Sequence, residues 1–381
     1  MEEQLSIYRI AERMAEETII HGNISVTETF RNEALEKVSA NYMYYHGYVS
    51  LVVCLFGIPS NLINITVLTR RHMRTPINFI LTWMAVSDLL TMISYVPFAV
   101  HYYCSFSPFS VSPEKNSLPW MRFLLFHINF TSTTHTISIW LGVALAIFRY
   151  VHLQSPSKGS LTHMRRKIRA RIVVFVIYVC SILLLVPNFV SNKLVPLSDN
   201  STVYILEDFH LGTAQVKPVV MINLLLYSIL AKFLPCILIT AYGGILLRTL
   251  RNTMIVKRRM WTNNNLTTQK SYDTTKTTYM LLVVIILFVV TELPQGILIL
   301  LSLFLKGFFE HVYIPLGDAM DIIALVNNSI NFILYCTMSS DFRKTLVEMV
   351  CQLRKPKTRK LPVPVPNGTR VYQSLLSRVN P

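Results

Sequence analysis

The sequence predicts an all-α membrane protein, a seven-transmembrane helix bundle followed by a short cytoplasmic amphipathic helix 8. Three observations predict it. Hydrophobic residues fill 52% of the 381 positions and charged residues only 15%, against about 25% charged in a soluble domain. The apolar residues gather into seven runs, near 46–69, 78–103, 120–151, 171–190, 218–248, 277–305 and 312–337, each long enough to cross a bilayer. Basic residues concentrate on alternate connections between those runs.

Each element follows from these patterns. Residues 1–45 form a polar, extracellular N-terminal tail with four Lys/Arg against eight Glu, and no cleavable leader is expected there. Residues 46–338 form the bundle. Its spans are helices, because lipid offers no partner to an unpaired backbone N–H. Residues 339–352 form the amphipathic helix, and 353–381 a cytoplasmic tail with a Pro-rich piece, Leu361 to Pro366. Arg70, Arg71 and Arg74 mark the first inner loop, Lys158 to Arg171 the second and Arg248 to Lys276 the third. With the tail, this face carries 25 Lys/Arg against Asp273, Asp341 and Glu348. That bias puts it in the cytoplasm and the N-terminus outside. The formal charge of +16 is thus orientation and lipid attraction, not a sign of nucleic-acid binding. An aromatic content of 11% excludes disorder, and six cysteines in this length make no disulfide scaffold. His-Glu-x-x-His, Gly-x-Ser-x-Gly, Gly-rich phosphate loops and Cys/His clusters are all absent, so no catalytic role is expected.

Polar groups inside spans need a reason. Asn61 follows Gly57 in the first, Asp88 lies mid-way in the second, and Phe148-Arg149-Tyr150 ends the third. Pro235 and Pro294 interrupt the fifth and sixth, Asn331-Phe332-Ile333-Leu334-Tyr335 ends the seventh, and Phe342-Arg343 follows. In this order, from Tyr48 to Cys351, the sequence resembles the rhodopsin-like G-protein-coupled receptors. The segments Met73 to Asn78, Ala85 to Met92 and Thr291 to Gly296 are more narrowly similar to invertebrate myosuppressin/FMRFamide-like peptide receptors. Nematode serpentine W-class chemoreceptors share them.

The resemblance implies an FMRFamide-like neuropeptide receptor at the plasma membrane, signalling through a heterotrimeric G protein of the Gi/o type. A chemoreceptor of the same fold for a small molecule is the alternative. A transporter or channel using Lys232 and Glu292 as a relay is a more remote one. Asp88, Ser138, Asn327, Asn331 and Asn61 match the family's sodium and water network, an all-oxygen shell that suits Na+. Arg149 matches the residue that reaches the transducer, with Tyr150, Tyr242 and Tyr335 around it and Pro294 as the kink for the sixth helix. Phe148 stands where an acid is usual, so a weaker resting lock and higher basal activity are expected. Glu292, Phe332 and Leu124 also depart from the family's usual residues, and no extracellular disulfide can be drawn.

An Arg-Phe-amide ligand requires a carboxylate and an apolar slot. Asp321 and Glu292 are the carboxylate candidates, with Asp318, Glu207 and Asp208 at the rim. His101, Tyr102, Tyr103, His127, Phe130, His135 and Phe209 are candidate walls. Thr131 replaces the aspartate that amine receptors use, which argues against a biogenic amine. Lys232 and Glu292 should meet near mid-bilayer, either as a brace or as cavity-facing partners of the ligand. Cys351 is a candidate palmitoylation site, and Asn23 and Asn200 are candidate glycosylation sites.

Overall fold

The computed structural model describes residues 32–154, 160–191, 193–198, 202–206, 218–260, 268–305 and 307–354. Seven helices within it are long and apolar enough to cross a membrane. The first, α1 (Glu33–Leu68), starts three turns before the apolar run. Asn32 explains the early start: its side chain accepts the Leu35 N–H at 3.1 Å, and Glu33 and Glu36 occupy the positive end of the helix dipole. α2 (Pro76–Ala99) opens with Thr75 capping the Asn78 N–H at 3.1 Å and with proline in the first turn. α3 (Leu118–Gln154) and α4 (Ser160–Ser191) follow. A short antiparallel hairpin, β1 (Leu194–Pro196) and β2 (Tyr204–Leu206), comes before the fifth span.

The fifth span, α5, joins Pro218–Leu226 to Leu234–Met260 through a wide i→i+5 turn, Tyr227–Phe233. After it come α6 (Thr268–Phe304), α7 (Ile314–Met338) and α8 (Ser340–Arg354). Wide turns recur at Val100–Ser105, beyond α2, and at Phe309–Tyr313, ahead of α7. Pro235 and Pro315 lie two residues beyond the second and third of these turns, whereas Pro97 lies three residues ahead of the first. At Pro235 and Pro315 the ring cannot donate to the carbonyl four residues back and clashes with it, so the ladder ahead of each proline shifts by one residue. At α5 the Leu234 N–H accordingly reaches the Ile229 carbonyl.

The helices close in the order α1, α2, α3 and α4, with α5, α6 and α7 completing the ring back to α1; α3 packs against α2, α4 and α5. Two cores hold them. Cys54, Met92, Tyr95, Ala99 and Leu325 join α1, α2 and α7, while Ile139, Val143, Ile239, Leu246 and Phe288 join α3, α5 and α6. Large apolar residues such as Leu55 (77% exposed) and Phe175 (69%) face outward, as lipid allows and water does not. Hydroxyls within the spans, such as those of Thr131, Thr133 and Ser329, bond to the carbonyl one turn back. By its contacts the chain divides into Met1–Arg343 and a second unit, Lys344–Pro381, which begins inside α8. Arg343 closes the first unit by donating to the carbonyls of Cys336 and Thr337 at the end of α7. Cys351 is exposed on α8.

Gly47 lets α1 approach the end of α2: a Cβ there would sit 2.6 Å from the Tyr103 Cβ and 2.9 Å from the Cys104 Sγ. Helix propensity favours alanine over glycine by about 1 kcal/mol, but overpacking costs about 1–3 kcal/mol, so the clash decides the sign. Gly47→Ala is expected to lower the thermal unfolding midpoint of the detergent-solubilised protein. Gly244→Ala, with nothing within 4 Å, should leave it equal or higher.

Candidate functional site: a cavity above a buried ion pair

At the end of the bundle where α1 begins, a cavity of about 320 Å3 opens between α2, α3, α5, α6 and α7. Among the described residues Asp321 is its one acidic lining side chain. Tyr95 donates its hydroxyl proton to Asp321 Oδ2 at 3.0 Å, so the bond of 2.8 Å between His46 Nε2 and Tyr95 requires the ring nitrogen to donate. Tyr103 donates to Asp318 Oδ1 at 2.7 Å, and the second Asp318 oxygen is buried without a hydrogen bond. Asp318 and Tyr103 therefore tie α7 to the end of α2 outside the cavity lining, while Asp321 lies in it.

His127 and Thr131 also line the cavity. His127 stacks on Phe98 (centroids 4.3 Å apart) and pairs with Ser94 at 2.9 Å. The Thr131 hydroxyl bonds to the His127 carbonyl. Of the remaining wall candidates, His101 stacks on Trp120 at 3.6 Å and Phe130 on Phe126, away from the cavity. Phe209, Glu207, Asp208, Asn23 and Asn200 lie outside the described residues. Tyr95, Tyr227, Gln295 and Tyr313 line the cavity without having been read from the sequence; Gln295, next to Pro294 and one turn from Glu292, was the most legible.

Below the floor, Lys232 donates to Glu292 Oε2 at 2.6 Å, with 0% and 2% of the two side chains exposed. The pair does not line the cavity, but His135 and Gln295 connect it there. His135 Nε2 is 3.0 Å from Glu292 Oε1, and Gln295 Oε1 accepts from Lys232 at 2.6 Å. The Tyr227 ring lies 5.9 Å from the ammonium. Two backbone features bring the partners together. The wide turn before Pro235 carries Lys232, and Gly296 leaves room for it, since a Cβ there would sit 2.9 Å from the Lys232 Cβ. Ser228 seals the contact by donating to the Gly296 carbonyl at 3.1 Å. One network thus joins α3, α5 and α6.

Deeper still, Asp88 accepts from Ser138 at 2.7 Å and Asn331 at 3.2 Å. Asn61 spans α1 to α7 through the Asn328 carbonyl at 3.1 Å, and its own oxygen is buried without a partner. Asn327 lies half-buried on α7, outside the two bonds that Asp88 receives. A carboxylate retains acceptor capacity after two bonds. The Ser138 hydroxyl is the oxygen the structure sets against that carboxylate, and the Asn61 oxygen is a further buried acceptor of the polar core. No group of three His, Cys, Asp or Glu side chains that could hold a metal occurs among the described residues.

At the far end of the bundle Arg149 keeps a buried Nε without a hydrogen bond, within electrostatic reach of Tyr335. Tyr335 packs on Phe342 with centroids 5.3 Å apart, and Tyr242 packs on Tyr150 at 6.1 Å. Pro294 lies within α6, two residues beyond Glu292.

All six cysteines are free thiols, so the hairpin is anchored by other means. The Tyr204 N–H donates to the Asn116 carbonyl at 3.0 Å, which pins β2 to the loop entering α3. Lys115 in that loop donates to the carbonyls of Ser107 and Pro108, and burial pushes its pKa down to about 8.

A seven-helix bundle with a cavity at one end, a polar core and an arginine at the other defines a transmembrane receptor. The chain belongs to the serpentine type 7TM GPCR chemoreceptor Srw family, whose model matches residues 48–352. It is similar to the G-protein coupled receptor dmsr-1 of Caenorhabditis elegans, 31% identical over 83% of this chain and 70% of that one. The sex peptide receptor of Drosophila melanogaster is 26% identical over 86% and 78%. Squid rhodopsin has the same fold, with a TM-score of 0.58 and 16% identity over 82% of this chain and 87% of that one.

Removing one member of a buried ion pair costs about 3–5 kcal/mol, whereas replacing both with apolar groups is often neutral. Lys232→Met and Glu292→Gln are each expected to lower the unfolding midpoint and surface expression, and Lys232→Met/Glu292→Leu to recover most of the loss. A Glu292→Gln protein that expresses normally but responds at shifted potency would show that the pair changes partners on activation.

Proposed function

We propose that this protein is a plasma-membrane receptor for an amidated Arg-Phe neuropeptide, with its N-terminus outside and its C-terminus in the cytoplasm. It signals through a heterotrimeric G protein of the Gi/o type. The observation that carries the reading is Asp321: a lone acidic side chain in an aromatic-lined cavity favours a cationic ligand, and a guanidinium can bond a carboxylate in bidentate fashion. Tyr95, Phe98 and Tyr227 offer the apolar surface that a phenylalanyl amide needs. The name of the Drosophila relative also favours a peptide. A cavity of about 320 Å3 takes the end of a peptide, not its whole length.

The ligand acts by binding more tightly to one of two bundle arrangements. Contacts on His135 and Gln295 reach the Lys232–Glu292 pair, which joins α5 to α6 just before the Pro294 kink. Movement of the far half of α6 would then uncover Arg149 and the Tyr150–Tyr242 contact for the transducer. Na+ at Asp88 holds the resting arrangement. The basic residues of the C-terminal tail and third loop suit the anionic inner leaflet, and Cys351 is a position for a lipid anchor.

The family's description favours a second reading, a receptor for a small chemical ligand in the same cavity. G-protein activation in cells expressing the chain separates the two. Amidated Arg-Phe peptides should act at sub-micromolar concentration and their free acids should not. Asp321→Asn should reduce potency roughly 10- to 100-fold at unchanged surface expression, from the loss of about 1.5–3 kcal/mol for a charge-assisted hydrogen bond. Silence to every peptide, with expression confirmed, would favour the chemical ligand. Raising NaCl at constant ionic strength should weaken agonist binding, and Asp88→Asn should abolish that dependence.

A further inference from the structure

The ion pair beneath the cavity sets the direction of the hydrogen bonds on its floor. Glu292 is held as a carboxylate by Lys232, and a carboxylate only accepts. His135 Nε2, 3.1 Å from Oε2 and 3.0 Å from Oε1, is therefore the donor, which fixes the tautomer. One ammonium already balances the one carboxylate, so the imidazole is neutral and its other nitrogen, Nδ1, carries a lone pair. His135 lines the cavity, and among the described residues Nδ1 has no protein partner.

A second direction runs through Gln295. An ammonium only donates, so Gln295 turns Oε1 to Lys232 at 2.6 Å and keeps Nε2 as its donor. Tyr313, also in the cavity lining, has Gln295 as its side-chain hydrogen-bond partner. Its oxygen receives the Gln295 N–H, and its own O–H proton remains to be donated. The pair thus presents the cavity with an acceptor at His135 and a donor at Tyr313. Hydroxyls on the walls are already engaged: those of Thr131, Ser132 and Ser302 donate to the carbonyl one turn back, and Tyr95 to Asp321.

We propose that His135 and Tyr313 read the terminal carboxamide of the ligand, His135 Nδ1 accepting from its N–H and the Tyr313 hydroxyl donating to its C=O. The assignment rests on the peptide ligand proposed above and names what recognises its end. A primary amide supplies one donor and one acceptor, and matches both groups. A free carboxylate supplies acceptors alone, so one oxygen would face the Nδ1 lone pair across a desolvated gap. The Lys232 ammonium gives the acid no relief, because Glu292 and Gln295 already hold it out of the lining. Asp321 meets the guanidinium by charge, while the amide is selected by hydrogen-bond direction.

G-protein activation by a panel of Arg-Phe peptides, each prepared as primary amide, N-methylamide, methyl ester and free acid, tests the proposal. The N-methylamide and the ester match in size and differ by one N–H, so their potency ratio isolates the donor. The N-methylamide should be roughly 10-fold or more the stronger, since the ester leaves a buried acceptor unpaired. This comparison in the unmodified protein needs no variant. His135→Gln keeps an N–H near the place of Nε2 for Glu292 and takes the acceptor from the place of Nδ1, so the ratio should fall towards one. Tyr313→Phe keeps the stack on Phe309 and should weaken N-methylamide and ester alike, about 3- to 10-fold, with their ratio unchanged. Ratios taken within one variant cancel changes in expression and folding. An ester as potent as the N-methylamide would overturn the assignment alone, with active amides still supporting the peptide ligand. A ratio that His135→Gln leaves untouched would do the same. Silence to every peptide, with surface expression confirmed, would overturn both.

Discussion

The ion pair between Lys232 and Glu292 constrains more of this structure than any other contact. Taking two charges out of water costs several kcal/mol for each ion, and their attraction repays it only with close geometry and further hydrogen bonds. The surroundings meet those terms. His135 and Gln295 complete the bonding, Gly296 removes the Cβ that would hold the helices apart, and the turn before Pro235 widens to carry the lysine. Removing any one of these groups alone exposes the cost of the others. Sealed by its neighbours, the pair still touches the cavity through His135 and Gln295.

Proline shapes the bundle in the same way at two places. Of the three wide turns, those within α5 and ahead of α7 are each followed by a proline that cannot complete the ladder, and the one beyond α2 follows Pro97. Two of these turns contribute directly to the cavity: Tyr227 comes from the second, and Phe309 and Tyr313 from the third. The first carries Tyr103 to Asp318. A straight helix would point these side chains elsewhere, because one extra residue per turn rotates everything beyond it.

The end of the bundle that holds the cavity is organised without a disulfide. Backbone hydrogen bonds from Tyr204 to Asn116, and the clasp of Lys115 on Ser107 and Pro108, hold the hairpin and the loop before α3. Such bonds open and close more readily than a covalent link, which suits an entrance that must admit a ligand. The paired Asp318 and Asp321 have separate tasks, one tying α7 to α2 and the other facing the cavity, although they stand only three residues apart on α7.

The seven spans, their order and the polar residues worth attention were legible because hydropathy and spacing are local properties. Asp88 with Ser138 and Asn331, and Lys232 with Glu292, were marked as groups that lipid would penalise, and each has its partners in the bundle. The start of α1 at Glu33 was less visible, since its first three turns are polar and rest on a cap and on the contact of Glu36 with His311 in the wide turn ahead of α7. Which carboxylate enters the cavity, and why Gln295 and Tyr95 line it, were decided only by the tertiary structure. Those facts depend on the rotation of one helix against another. That rotation is fixed by wide turns, a missing Cβ and packing between residues more than sixty positions apart, and no local pattern in the chain encodes it.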